Sequence, residues 1–205
     1  MDARHLLRHR LTGLAAAGLL ATALAAPVSA GAGTVAPAAP VTVVPAAPGP
    51  YCGISWGSLA KKNAVSHTTG TLEDVRAGQH DCYDRLVLDV DDVPGGLSYD
   101  VRYVDVVRTE GSGKGVPLAG PAQLRIVLRA PAYDAQGRAT YRPADRAHLV
   151  DVAGWSTFRQ VAWAGSVEGQ TTVGLGVRAR LPFRVFVLDG PGDGARLVID
   201  VAHRW

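Results

Sequence analysis

From Thr171 to Leu181 the side chains alternate without interruption. Thr171, Val173, Leu175, Val177, Ala179 and Leu181 fall on one side; Thr172, Gly174, Gly176, Arg178 and Arg180 fall on the other. A period of two is the mark of a strand with one face in a core and the other toward water. The second face carries two glycines and two arginines, so the expectation is open backbone flanked by positive charge. Pro182 suits a break or a bulge, because proline cannot donate to a sheet ladder. Beyond it, the apolar run Phe183–Leu188, the turn sequence Gly190-Pro-Gly-Asp-Gly194 and the run Arg196–Ala202 predict a hairpin.

Similar alternation recurs in Tyr99–Val107 and Ala122–Ala130, with the loop Thr109–Pro117 between them. Leu149–Val152 and Phe158–Trp163 are further short strand candidates, and Ala130–Pro143 reads as a longer excursion punctuated by proline and Gly137. No long segment after the N-terminal region has helical periodicity. The expected fold is all-β, a two-layer sandwich of short strands with hairpin connections and little helix. The runs Asp84-Arg-Leu-Val-Leu-Asp-Val90 and Ala195-Arg-Leu-Val-Ile-Asp-Val201 are near copies. They are either a coincidence among β-rich segments or equivalent strands from the two halves of a pseudo-symmetric sandwich.

The N-terminus has another character. Arg4, Arg8 and Arg10 precede an apolar, alanine-rich run from Leu11 to Ala26, and Val28-Ser29-Ala30 supplies small residues for cleavage. That layout predicts a secretory signal peptide over 1–30, cleaved after Ala30, with no membrane span afterwards. Residues 31–50 carry no charge and hold prolines at 37, 40, 45, 48 and 50, the composition of an extended spacer. The folded domain is expected over 51–205, long enough for one core. Losing the leader's three arginines and Asp2 lowers the formal net charge from +3 to +1. A nearly neutral mature chain gives no footprint for nucleic acid.

Cys52 and Cys82 are the only cysteines. An even count in an oxidising compartment predicts a disulfide between them. Around Cys82 lies the densest polar cluster of the chain: Arg76, His80, Asp81, Asp84 and Arg85. It reads either as an ion-pair corner clamped by the disulfide or as one wall of a ligand site. Trp155, Phe158, Arg159 and Trp163 read either as a platform for a sugar polymer or as ordinary core packing.

Familiar catalytic and cofactor motifs fail on context. Gly174-Leu-Gly-Val-Arg-Ala179 has dinucleotide-fingerprint spacing but alternates as a strand where a helix must begin. Gly111-Ser-Gly-Lys-Gly115 lacks the first glycine and the Ser or Thr of a phosphate loop, and Ser166 lacks both glycines of a nucleophile elbow. The scattered histidines offer no metal-ligand spacing. No cofactor, metal, nucleotide or nucleic-acid ligand is expected. A hydrolase would need Glu168 with Asp84 or Asp81, or His80 with Asp81, to meet in a cleft.

The stretches Cys52–Leu59 (CGISWGSL), Val75–Val87 (VRAGQHDCYDRLV), Tyr99–Val104 (YDVRYV), the run that opens at Phe158 (FRQVAWAGSVEGQ) and the closing RLVIDVAH resemble the secreted AMIN-like domain proteins of actinobacteria. The resemblance covers essentially all of 51–205 and implies an AMIN-like β-sandwich. Its distant relative, the AMIN domain, localises peptidoglycan amidases and pilus secretins in the cell envelope. The Cys52–Cys82 segment departs from that broader pattern, and no amidase or secretin sequence accompanies the domain here. The expected function is an exported, non-catalytic envelope module that binds peptidoglycan or another wall polymer. The alternative is an interaction domain that meets an envelope protein through a sheet edge or an apolar patch; a hydrolase ranks third. The candidate ligand face carries Arg178 and Arg180 beside Gly174 and Gly176, bordered by Arg159, Glu168 and Gln170. Arg76, His80 and Asp84 form a second candidate wall.

Overall fold

In a computed structural model, which describes residues 49–63, 68–93 and 95–205, the alternating segments form strands. The expected leader and spacer lie outside the described residues, apart from Gly49 and Pro50. One 3-10 turn, Tyr51–Gly53, precedes β1 (Lys61–Asn63), β2 (Thr71–Gln79), β3 (Tyr83–Asp91), β4 (Tyr99–Val104) and β5 (Ala122–Leu128). Then come β6 (Phe158–Val167), β7 (Gln170–Val177), β8 (Phe183–Asp189) and β9 (Ala195–Ala202). The strands pair antiparallel in two sheets, ordered β1-β4-β5-β7-β6 and β2-β3-β9-β8. The fold is the expected all-β sandwich.

The alternation explains which faces meet. Leu86, Leu88 and Val90 of β3 share a buried cluster with Leu197, Ile199 and Val201 of β9. Facing them are Val101, Leu124, Ile126, Leu128, Val173, Leu175 and Val177 of the five-stranded sheet. Burying each such aliphatic side chain contributes about 1.5–3 kcal/mol before the entropy of ordering the chain is counted.

The two near-copy runs are not counterparts in opposite layers. They are β3 and β9, neighbours in one sheet, paired antiparallel with Val87 opposite Val198. Reversing one copy against the other sets Arg85 opposite Asp200 and Asp89 opposite Arg196. The motif is therefore self-complementary in charge. Arg85 holds Asp200 through two bonds of 2.6 and 2.9 Å, and Arg184 of β8 adds a third at 2.7 Å. Asp89 is instead taken by Arg76 at 2.6 Å.

The glycine face of β7 is covered, contrary to the expectation of open backbone. The connection from β4 to β5 folds back over it as a small hairpin, with Arg108 bridged to Gly115, and Val107 and Val116 pack on Ala162 and Ala164 of β6. A Cβ on Gly176 would stand 2.0 Å from the Ala119 carbonyl oxygen, and one on Gly174 would stand 2.8 Å from Leu118 Cδ1. Both glycines serve a close chain approach rather than an exposed surface.

The other long connection, 129–157, joins β5 to β6 and spans an open side of the sandwich. It reaches edge strand β2 where Leu72 N–H bonds the Pro131 carbonyl (2.7 Å) and Thr140 Oγ1 bonds the Leu72 carbonyl (2.8 Å). It reaches edge strand β6 where Trp163 N–H bonds the Arg146 carbonyl and Leu149 N–H bonds the Val161 carbonyl, at 2.8 and 2.9 Å. Both edges are thereby partly satisfied without a further strand. Leu149–Val152, expected as a strand, is irregular: Leu149 N–H makes that one bond to β6, and the Val152 carbonyl accepts Trp155 N–H in a local turn at 3.2 Å.

Candidate functional site

The connection 129–157 and the second half of β6 enclose a cleft of about 670 Å³. Tyr133, Tyr141 and Trp163 line it together with Arg142, Arg146 and Ser166. The Tyr141 and Trp163 ring centroids are 5.6 Å apart and their planes tilt by 43°. The Tyr133 hydroxyl accepts the Gly169 N–H (3.0 Å), so this ring is anchored to the β6–β7 turn. Burial raises the Tyr141 phenol pKa above its ordinary 10.0, and the negative charge of Asp74 adds to the effect. At neutral pH its hydroxyl is thus a protonated donor.

The backbone of β6 shapes the cleft. Its pairing with β7 slips by one residue between Trp163 and Gly165, and Gly165 has φ +126°. A bulge of this kind bends an edge strand and redirects the neighbouring side chains. Ser166 Oγ accepts bonds from Ala132 N–H and Thr171 Oγ1, both 2.9 Å, which ties the connection to the strand beyond the bulge. No histidine or carboxylate lines the cleft to activate that hydroxyl. The chemistry available is stacking, hydrogen bonding and attraction for negative charge.

The residues singled out in the sequence do not share one face. Arg159, Arg178 and Arg180 lie at the Phe158–Val177 end of the β6–β7 ladder, and Glu168 and Gln170 at the other. The eight residues of β7 separate the two groups by about 27 Å. Arg159 donates to the Trp155 and Phe158 carbonyls at 2.8 Å, Arg178 donates to the His203 carbonyl, and Arg180 lies 4.9 Å over the Tyr103 ring. Gln170 donates to Glu110 at 3.2 Å, and Glu168 sits exposed in the turn with φ 53°.

Nor does the second wall assemble. Arg76 points away from the core toward Asp89, and exposed His80 stacks on Tyr83 at 4.6 Å. Asp84 turns inward, fully buried, and accepts Thr157 N–H at 2.7 Å, Phe158 N–H at 2.9 Å and His203 Nε2 at 3.1 Å. Asp84 therefore meets the first residue of β6 while Glu168 follows the last, roughly 30 Å away along a ten-residue strand. That distance removes them as an acid–base pair acting on one bond. The expected disulfide between Cys52 and Cys82 is present. The aromatic platform divides: Phe158 is fully buried against Trp155, whereas Trp163 belongs to the cleft.

Tyr133, Tyr141, Arg142 and Arg146 were not singled out from the sequence. Two signals point to them. An irregular connection of 29 residues is unusual inside a compact β domain, and such loops commonly carry function. A glycine inside an apolar strand, as at Gly165, marks a bulge.

Among the described residues, no group of three or more His, Cys, Asp or Glu side chains could hold a metal ion, and no helix is long and apolar enough to cross a membrane. A family model described as AMIN-like domain matches residues 70–203. No curated protein and no solved structure matches the chain at a significant level.

Proposed function

We propose that this chain, which belongs to the AMIN-like domain family, is a cell-envelope module that holds a wall polymer in the cleft between its long β5–β6 connection and β6. The family suggests an envelope association, and the Cys52–Cys82 disulfide is consistent with an extracytoplasmic compartment. A leader over 1–30, cleaved after Ala30, and a spacer over 31–50 complete the proposal by supplying export and reach. In this reading the domain 51–205 binds and does not catalyse.

The observation that carries the reading is the meeting of Tyr141 and Trp163 in an open, bulged cleft. Ring faces with polar groups at their margins suit the alternating apolar and hydroxylated faces of a sugar. The test is co-sedimentation of the purified protein with insoluble peptidoglycan sacculi. Saturable pelleting is expected, with affinity falling about tenfold in Trp163→Leu, a loss of roughly 1.4 kcal/mol of ring contact. Pelleting no greater than that of an unrelated β-sandwich would remove the reading. It would favour docking of an envelope protein along β8, an edge strand whose Leu188 is 38% exposed.

A further inference from the structure

Resting on that reading, we propose that the bound polymer is a saccharide strand carrying carboxylates, and that it runs from the cleft past Arg146 and Trp163 into a second one. The charges around the site lead there. Arg76, Arg85, Arg102, Arg138 and Arg184 each hold a carboxylate of this chain. Exposed Arg142 and Arg146 have no such partner among the described residues, and both line the cleft. No Asp or Glu lines it with them. Glu73, Asp74, Asp89 and Asp91 surround a separate cleft of about 300 Å³, from which Asp74 still acts on the Tyr141 phenol without lining the first cleft. Two guanidiniums without a carboxylate partner, set beside aromatic rings, make a site that attracts an anion.

A second cleft of about 310 Å³ shares Arg146 and Trp163 with the first and adds Lys114, Pro117 and Gln160. It too has no acidic lining. The exposed Lys114 comes from the hairpin that covers β7. Arg142, Arg146 and Lys114 thus line two adjoining clefts that share Trp163, an arrangement that suits a strand with repeated charges better than one small anion. Ring faces favour a saccharide over a polyol phosphate, which offers charge but no flat ring to stack. The guanidinium fork matches a carboxylate in plane.

Sacculi themselves are the probe, in three forms: untreated, with carboxyls converted to neutral methylamides, and stripped of phosphodiester-linked polymers by hydrofluoric acid. Amidation is expected to weaken binding at least tenfold and stripping to leave it unchanged. Arg142→Gln/Arg146→Gln is expected to bind untreated sacculi as weakly as wild type binds amidated ones, with no further loss on amidation. Lys114→Gln should weaken binding to intact strands several-fold and leave a disaccharide–peptide fragment unaffected. Binding indifferent to amidation would overturn the carboxylate assignment, and binding lost on stripping would transfer it to phosphate. Equal strand binding by Lys114→Gln would overturn the passage into the second cleft. If pelleting still depends on Trp163 while amidation has no effect, only the charge inference fails. If nothing pellets, both fail.

Discussion

Asp84 shows how one residue acquires a structural task. It lies in phase with Leu86 and Leu88, so the same alternation that buries those leucines turns its carboxylate inward. There it receives two backbone N–H groups at the start of β6 and the ring of His203, and so connects the two sheets. Asp84→Ala would leave Thr157 and Phe158 N–H groups buried without acceptors, each costing about 1–3 kcal/mol. Urea unfolding is expected to report a loss of roughly 2–5 kcal/mol, with sacculus binding of the folded protein unchanged. A loss under 1 kcal/mol, or a selective loss of binding, would return Asp84 to the ligand-site reading. The polar cluster around Cys82 was legible as a cluster. Asp84's inward direction follows from its phase with the leucines, but its partners at 157, 158 and 203 are too distant in sequence for any local pattern to name.

At the scale of elements, local signals were read well and coverings were not. The alternation identified β7, the β8–β9 hairpin and the β4 and β5 strands because each side of a strand reports its own environment. β2 escaped notice because it carries Glu73, Asp74 and Arg76 on solvent-facing positions and a register shift between Leu72 and Asp74 interrupts its period. On β7, Gly174 and Gly176 look identical in sequence whether solvent or another segment lies above them, and only tertiary contact decides. Gly176→Ala tests that covering. Its Cβ would meet the Ala119 carbonyl oxygen at 2.0 Å, so the β4–β5 connection must move or the strand must shift. Overpacking of this sort costs roughly 1–3 kcal/mol. Gly78→Ala is the control, since its Cβ would find only the His80 ring, 4.0 Å away, within an extended strand. The control should unfold at or above the wild-type midpoint while Gly176→Ala unfolds well below it. Equal midpoints would show that the connection does not bear on β7.

Across the whole molecule, anchoring and binding occupy different ends of the sandwich. At one end Cys52 joins Cys82 in the β2–β3 turn, His203 N–H bonds the Cys82 carbonyl at 2.9 Å, Arg204 lies 4.6 Å over the Tyr51 ring, and Asp84 grips the start of β6. The cleft opens toward the other end, around Trp163, Ser166 and the bulge at Gly165. The disulfide closes a loop of 30 residues, so its loss should release chain entropy in the unfolded state worth about 3–4 kcal/mol. Cys52→Ala/Cys82→Ala is therefore expected to lower the urea midpoint by about 1.5–2 M for a slope near 2 kcal/mol/M. None of the cleft residues touches the bridge, so well below the new midpoint the variant should pellet with sacculi as wild type does. Lost binding in a protein that is still folded would mean that strain travels the length of β6 from the anchored end to the cleft. In that case the two ends act as one unit, and the disulfide sets the geometry of the site as well as the stability of the fold.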